Sequence, residues 1–347
     1  MTMAGDDHLV AAPMWPELLP WQRPAATGAL ATRATWPHAL LISGPRGIGK
    51  RTLALNFACS LLCESPSAEG LACGTCASCR YVAAGQHPDL QLVEPFTIDE
   101  DGEVKLLDAI PVDRIRALID WALVTSHRGR AKVAIIVPAE TLNGAAANAL
   151  LKTLEEPPPD TFLLLVSHQP GRVPATLRSR CRHFVAPNAD TDVARQWLAD
   201  RKVACPATVL AQAGGAPLLA LAMADPAWQG ERAVWLQALA KPKALSAVML
   251  AARLDTGPRE ERKQRLGLAI DLLGAWTADL ARVAAGGTPL RNPDFAAALT
   301  ALATAVAPIP LFRYHQSLSR HRALVAHPLQ GRLVAEALLI GYRELFR

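Results

Sequence analysis

The chain has 347 residues, of which 51% are apolar and 19% charged, and it carries a net charge of +5. That length and apolar content describe an ordered protein with room for two or three buried cores, and they exclude a disordered chain or a basic nucleic-acid arm. No run of about 18 apolar residues is present to span a membrane, and the N-terminal MTMAGDDHLV lacks the basic start of a secretion signal, so a cytoplasmic protein is expected.

In chain order, HALLISG (38–44) reads as a short buried parallel strand that ends in glycine. KRTLALNFACSLLC (50–63) follows as a helix, with Leu53, Phe57, Ala58 and Leu61 at helical spacing. KVAIIVPA (132–139) is a second buried strand, AAANALLKTLEE (145–156) a helix stopped by Pro157, Pro158 and Pro159, and TFLLLVS (161–167) a third strand. Such alternation implies a parallel sheet with helices on both faces. From about 188 to 226 the pattern is short and helical with a Gly-Gly break. From about 227 to 347 it is helical throughout, with Leu266, Ile270, Leu273, Thr277 and Leu280 on one face.

GPRGIGKR (44–51) fits the phosphate-loop fingerprint G-x-x-x-x-G-K-[ST] at Gly44, Gly49 and Lys50, but Arg51 stands where the fingerprint has Ser or Thr. In a working loop that hydroxyl holds Mg²⁺, and an acidic pair after the next core strand holds the metal and polarises water. Here VAIIV is followed by Pro138 and Ala139, with Glu140 displaced. Two separate parts of the hydrolytic machine are missing, so ATP hydrolysis is not expected, while weak nucleotide binding through Lys50 stays open. The plainer reading of the stretch is a glycine turn capping a helix.

Seven cysteines, five of them between positions 59 and 79, do not describe a disulfide framework. Cys63 precedes Cys73-x2-Cys76-x2-Cys79, and four thiolates at this spacing satisfy tetrahedral zinc; an iron–sulfur cluster shares the ligand set. With all four positions taken by protein, such a metal is structural rather than catalytic. Cys59, one helical turn before Cys63, competes as a ligand or fills the core, and Cys205 reads as filler. Glu155 and Glu156 read as a solvated helix end. His127, Arg128, Arg130 and Lys132 read either as a phosphate-contacting group or, more commonly for such a run, as a solvated loop.

NALLKTLEEPP (148–158) followed by PATLRSRC (174–181) resembles the clamp-loader AAA+ family, the proteins that open a sliding clamp at a primed DNA template. The resemblance covers about residues 20 to 225, and the cysteine insertion after the phosphate-loop helix is shared with bacterial members. It implies an α/β AAA+ P-loop-type parallel sheet domain over 1–187 with a zinc module at 63–79. A small helical lid domain over 188–226 and an all-α C-terminal bundle over 227–347, an oligomerising collar, complete the expected fold.

ATP-hydrolysing members keep Thr after the loop lysine, Asp-Glu on the second strand and a sensor arginine in the lid, where this chain has Pro217. The resemblance therefore implies a subunit that holds the AAA+ shape without turning ATP over. In the family the arginine of Ser179-Arg180-Cys181 reaches the ATP site of the adjacent subunit, which selects Arg180 over its neighbour Arg178. Implied partners are ATPase subunits of the gamma/tau type and a delta subunit, with clamp and primed DNA met through the complex at the nucleoid. The competing readings are a self-contained clamp-loader ATPase using Lys50, and a zinc-dependent DNA-binding module.

Overall fold

The structure, a computed structural model, describes residues 17–31, 35–98, 104–324 and 331–347. It divides into two compact units. One runs to Ala194 and includes Ala216–Leu219; the other comprises Arg195–Gly215 and Ala220–Arg347.

The elements, in chain order, are α1 (Arg23–Leu30), β1 (Ala39–Ser43), α2 (Lys50–Leu62), α3 (Ala77–Ala83), β2 (Leu90–Val93), β3 (Phe96–Ile98), β4 (Val104–Leu106), α4 (Val112–Leu123), β5 (Lys132–Ile136), α5 (Gly144–Glu155), β6 (Thr161–Ser167), α6 (Ala175–Arg178) and β7 (Arg182–Val185). There follow α7 (Thr191–Asp200), α8 (Pro206–Gln212), α9 (Pro217–Met223), α10 (Pro226–Leu239), α11 (Ala247–Ala252), α12 (Arg259–Ala284), α13 (Ala296–Ala303), α14 (Pro308–Leu324) and α15 (Gly331–Glu344).

Five strands form one parallel sheet in the order β2-β5-β6-β1-β7, while β3 and β4 make a separate antiparallel hairpin. The three strands expected from sequence occupy the centre. They read as continuous apolar runs because both faces are covered. Leu40, Ile42, Val133, Ile135, Leu164 and Val166 pack with Leu53 and Phe57 of α2. The alternate residues Leu41, Ala134, Ile136, Leu163 and Leu165 pack with Leu118 of α4 and Leu150 of α5. The period of two thus sends successive residues of each strand to opposite helical layers. The segments that follow β1, β5 and β6 all leave the carboxyl edge of this sheet, where open α/β sheets place their sites.

Among its described residues the second unit contains helices and their connections only. The α12 face expected from sequence is buried: Leu266, Ile270, Leu273, Thr277 and Leu280 all belong to the interior. Thr277 avoids an unsatisfied hydroxyl by donating to the Leu273 carbonyl at 2.8 Å. Trp276 Nε1 donates to Tyr342 Oη, which donates to the Leu239 carbonyl, each at 2.8 Å, linking α12, α15 and α10. Among the described residues no single helix is long and apolar enough to cross a membrane.

Candidate functional site: nucleotide loop, arginine and cysteine cluster

The turn between β1 and α2 depends on glycine. Gly47 and Gly49 have φ of 79° and 87°, and a Cβ on Gly49 would collide with Leu19 and with the Gln22 amide. The loop is covered by the chain's own groups. Trp21 Nε1 donates to the Ile48 carbonyl at 3.0 Å, Gln22 Nε2 to the Gly49 carbonyl at 2.6 Å, and the Leu218 N–H to the Gly47 carbonyl at 3.0 Å. Lys50 is fully buried, and its Nζ donates to the Pro45 carbonyl at 2.5 Å. Gly44, Gly49 and Lys50 therefore keep the shape of a phosphate loop, with the lysine turned onto the loop itself.

Arg51 does more than lack a hydroxyl. Its Nε and Nη2 reach Glu94 Oε1 and Oε2 at 2.9 and 3.1 Å, a bidentate pair between side chains only 9% and 2% exposed. Glu94 directly follows β2, so this pair ties the start of α2 to the carboxyl end of an outer strand. Beyond β5, Pro138 offers no side-chain oxygen. Glu140 is engaged elsewhere: its Oε1 accepts from the His168 N–H at 3.0 Å, just after β6.

Arg180 lies two residues beyond α6, partly exposed. Its Nε donates to Glu155 Oε1 at 2.7 Å, Nη2 donates to the same oxygen, and Nη1 donates to the Thr176 carbonyl at 2.9 Å. Arg178, the other candidate, has an Nε buried from solvent. Glu155 closes α5 and is the arginine's partner, not merely a solvated helix end. The only signal in the sequence was its position in LEEP.

The Sγ atoms of Cys63, Cys73, Cys76 and Cys79 all lie within 4.8 Å of one another. The Cys63–Cys76 and Cys73–Cys79 separations are both 3.9 Å; a tetrahedron with metal–sulfur bonds of about 2.3 Å has edges of about 3.8 Å. Backbone N–H groups already point at the sulfurs: those of Thr75 and Cys76 donate to Cys73 at 3.5 and 3.4 Å, and that of Cys79 donates to Cys76 at 3.4 Å. The Thr75 and Cys76 N–H groups, with the Thr75 hydroxyl, bring the Cys73 thiol down to about 6. At Cys76 burial pushes upward, but N–H donation from Cys79 and Glu64 prevails and the net shift is downward. Burial raises Cys63 and Cys79. Two buried sulfurs and two amide-stabilised ones form a four-thiolate set that can hold a metal ion such as zinc, which would serve as a cross-link between α2 and α3.

Cys59 stands outside this group, on α2 itself and buried in the hydrophobic core, with burial pushing its thiol up to about 12. Of the basic residues 127–132, His127, Arg128 and Arg130 are exposed, as a solvated loop would have them, while Lys132 is drawn into the interior. Lys132 is buried over the Trp121 ring and donates to the Trp121 and Val124 carbonyls at 2.5 and 2.8 Å. Arg128 pairs with Glu64 at 2.7 Å and Arg130 donates to the Cys63 carbonyl at 3.2 Å, while the His127 and Arg128 N–H groups donate to the buried Asp89 carboxylate. This segment clasps the cysteine cluster to the sheet. The charge run hid that role because its partners are distant in sequence.

A family model described as DNA polymerase III, delta subunit, matches residues 28–190. The DNA polymerase III subunit delta' of Pseudomonas aeruginosa is 38% identical over 272 residues, covering 77% of this chain and 78% of the relative. This chain belongs to the DNA polymerase III delta' family. That bears out the clamp-loader resemblance carried by NALLKTLEEPP and PATLRSRC. The delta' subunit of Escherichia coli K12 is 37% identical over 210 residues, 59% of this chain and 60% of that one. The tau subunit of the same organism is 37% identical over 161 residues, but this covers 46% of this chain and 23% of tau. The likeness to delta' thus extends further along the chain than the likeness to tau.

Proposed function

We propose that this chain is the non-hydrolysing AAA+ member of the replicative clamp loader, supplying Arg180 in trans to the ATP site of a neighbouring gamma/tau-type subunit. The observation that carries the reading is the buried Arg51–Glu94 pair. It fills the place where a phosphate loop needs a metal-binding hydroxyl, and undoing it to admit a metal would strand a buried charge. Pro138, the engagement of Glu140 with the His168 N–H, and Pro217 at the expected sensor position point the same way. Gly44, Gly49 and Lys50 are the vestige of a nucleotide site, at which weak binding stays open and hydrolysis is not expected.

In this reading the neighbour provides Mg²⁺ and the attacking water. As the bond to the γ-phosphoryl group breaks, charge grows on its oxygens, and the planar, always charged guanidinium of Arg180 meets them. Cys63, Cys73, Cys76 and Cys79 hold a structural zinc that takes no part in that step. Residues 1–187 act as the AAA+ core, 188–226 as a lid and 227–347 as a collar joining the homologous subunits and delta. Sliding clamp and primed DNA are met through the complex, in the cytoplasm at the replisome.

The test is ATP turnover. The isolated chain is expected to show none above background, and a loader reconstituted with Arg180→Ala in this chain is expected to hydrolyse ATP more slowly. Turnover by the isolated chain would favour a gamma/tau-like ATPase instead.

A further inference from the structure

An arginine finger works only if its guanidinium is held where the phosphate arrives, because a long, freely rotating side chain loses the advantage of preorganisation. Resting on the proposed role of Arg180, we propose that Glu155 is its positioning residue.

The carboxylate is well placed for this. Glu155 ends α5, whose first turn is capped by Asn143 Oδ1 accepting from the Ala146 N–H at 2.7 Å. The last turn is closed by the Glu156 N–H on the Lys152 carbonyl at 2.9 Å and fastened to the start of β1 by the His38 ring on the Leu154 carbonyl, also at 2.9 Å. Pro157 to Pro159 then fix the exit. Glu155 is thus mounted on an immobilised helix end, while Arg180 sits on the short connection after α6.

The hydrogen-bond pattern separates two ends of the guanidinium. Arg180 has five N–H donors. Nε and one N–H of Nη2 go to Glu155 Oε1, and one N–H of Nη1 goes to the Thr176 carbonyl. One N–H on each terminal nitrogen remains, apart from a long 3.5 Å contact of Nη1 with Ser179 Oγ. That terminal pair is the fork that matches two phosphate oxygens. Glu155 therefore takes the inner edge of the group and leaves its tip for a neighbour's phosphate. Because the Glu155 and Arg180 side chains are 49% and 34% exposed, their ion pair adds little to folding stability. The consequence of losing it falls on the position of the finger.

The experiment is ATP hydrolysis by the reconstituted loader with clamp and primed DNA, comparing Arg180→Ala, Glu155→Ala and Glu155→Gln in this chain. Other ATP sites in the ring keep turning over, so losses are read relative to Arg180→Ala. Glu155→Ala is expected to reproduce at least half of that loss, as a fall in kcat with KM for ATP unchanged and the melting midpoint of the subunit unmoved. Glu155→Gln retains an acceptor oxygen and is expected to restore most of the turnover. The Arg180→Ala/Glu155→Ala double variant should be no slower than Arg180→Ala alone. Unchanged or faster turnover in Glu155→Ala beside a loss in Arg180→Ala would overturn the positioning role and leave the finger standing, and equal losses in the Ala and Gln variants would also overturn it. No loss in Arg180→Ala would remove both.

Discussion

Arg51 and Glu94 meet as a two-pronged ion pair beneath the nucleotide loop, with both side chains buried. The residue that departs from the phosphate-loop fingerprint has acquired a structural partner 43 positions away, so reverting it is not a simple restoration.

Arg51→Thr recreates the fingerprint but leaves the Glu94 carboxylate buried without its guanidinium. Breaking one half of such a pair costs about 3–5 kcal/mol. The variant is expected to lose that much unfolding free energy, with its denaturant midpoint lowered accordingly, and to hydrolyse no ATP, since Pro138 still contributes no carboxylate. The paired replacement Arg51→Met with Glu94→Met removes both charges and should recover most of the lost stability. Denaturant melts and turnover by the isolated subunit check both expectations. A stable, ATP-hydrolysing Arg51→Thr protein would contradict them.

The cysteine cluster makes a stoichiometric prediction. Elemental analysis of the purified protein should find one zinc per chain, lost in Cys73→Ser and kept in Cys59→Ala. Chelation should lower the melting midpoint, at about 2–4 °C for each kcal/mol removed in a unit of this size. Arg128→Ala should weaken metal retention more than it lowers stability, since the Glu64 pair it breaks is partly exposed but clasps the residue after Cys63. Retention of metal by Cys73→Ser would exclude the four-thiolate assignment.

His87 gives the first unit an acid-sensitive point. Burial holds its imidazole below the ordinary 6.5, with Arg128 acting in the same direction and Asp89 and Glu64 opposing, and its Nδ1 accepts from the Asp89 N–H at 3.1 Å. As pH falls through about 6.5 the unfolded chain takes up a proton that the folded chain still refuses, so stability falls with pH there. The melting midpoint should decline between about pH 7 and pH 5.5, and less steeply in His87→Asn, which keeps an acceptor and does not titrate. Identical slopes would show that His87 plays no part.

The central sheet was legible because β1, β5 and β6 are covered on both faces and read as unbroken apolar runs. The outer strands were not. β7 is Arg-His-Phe-Val and largely exposed, and β2 is only four residues with an exposed glutamine, so neither carries a periodic signal long enough to read. The cysteine cluster announced itself through spacing alone. The Arg51–Glu94 and Arg180–Glu155 pairs join residues 43 and 25 positions apart, and long-range charge pairing leaves no mark on local pattern. For the same reason Lys132 looked like part of a surface run, although Trp121 and two carbonyls bury it.

The most direct test is steady-state ATP hydrolysis by a reconstituted loader, with clamp and primed DNA, carrying Arg180→Ala in this chain, set beside Arg51→Met with Glu94→Met. The account predicts partial loss of turnover and of clamp loading from Arg180→Ala, because other sites keep their own arginines, and no loss from the paired replacement beneath the loop. Full turnover with Arg180→Ala, together with ATP hydrolysis by the isolated subunit, would mean that this chain runs its own site and completes no other.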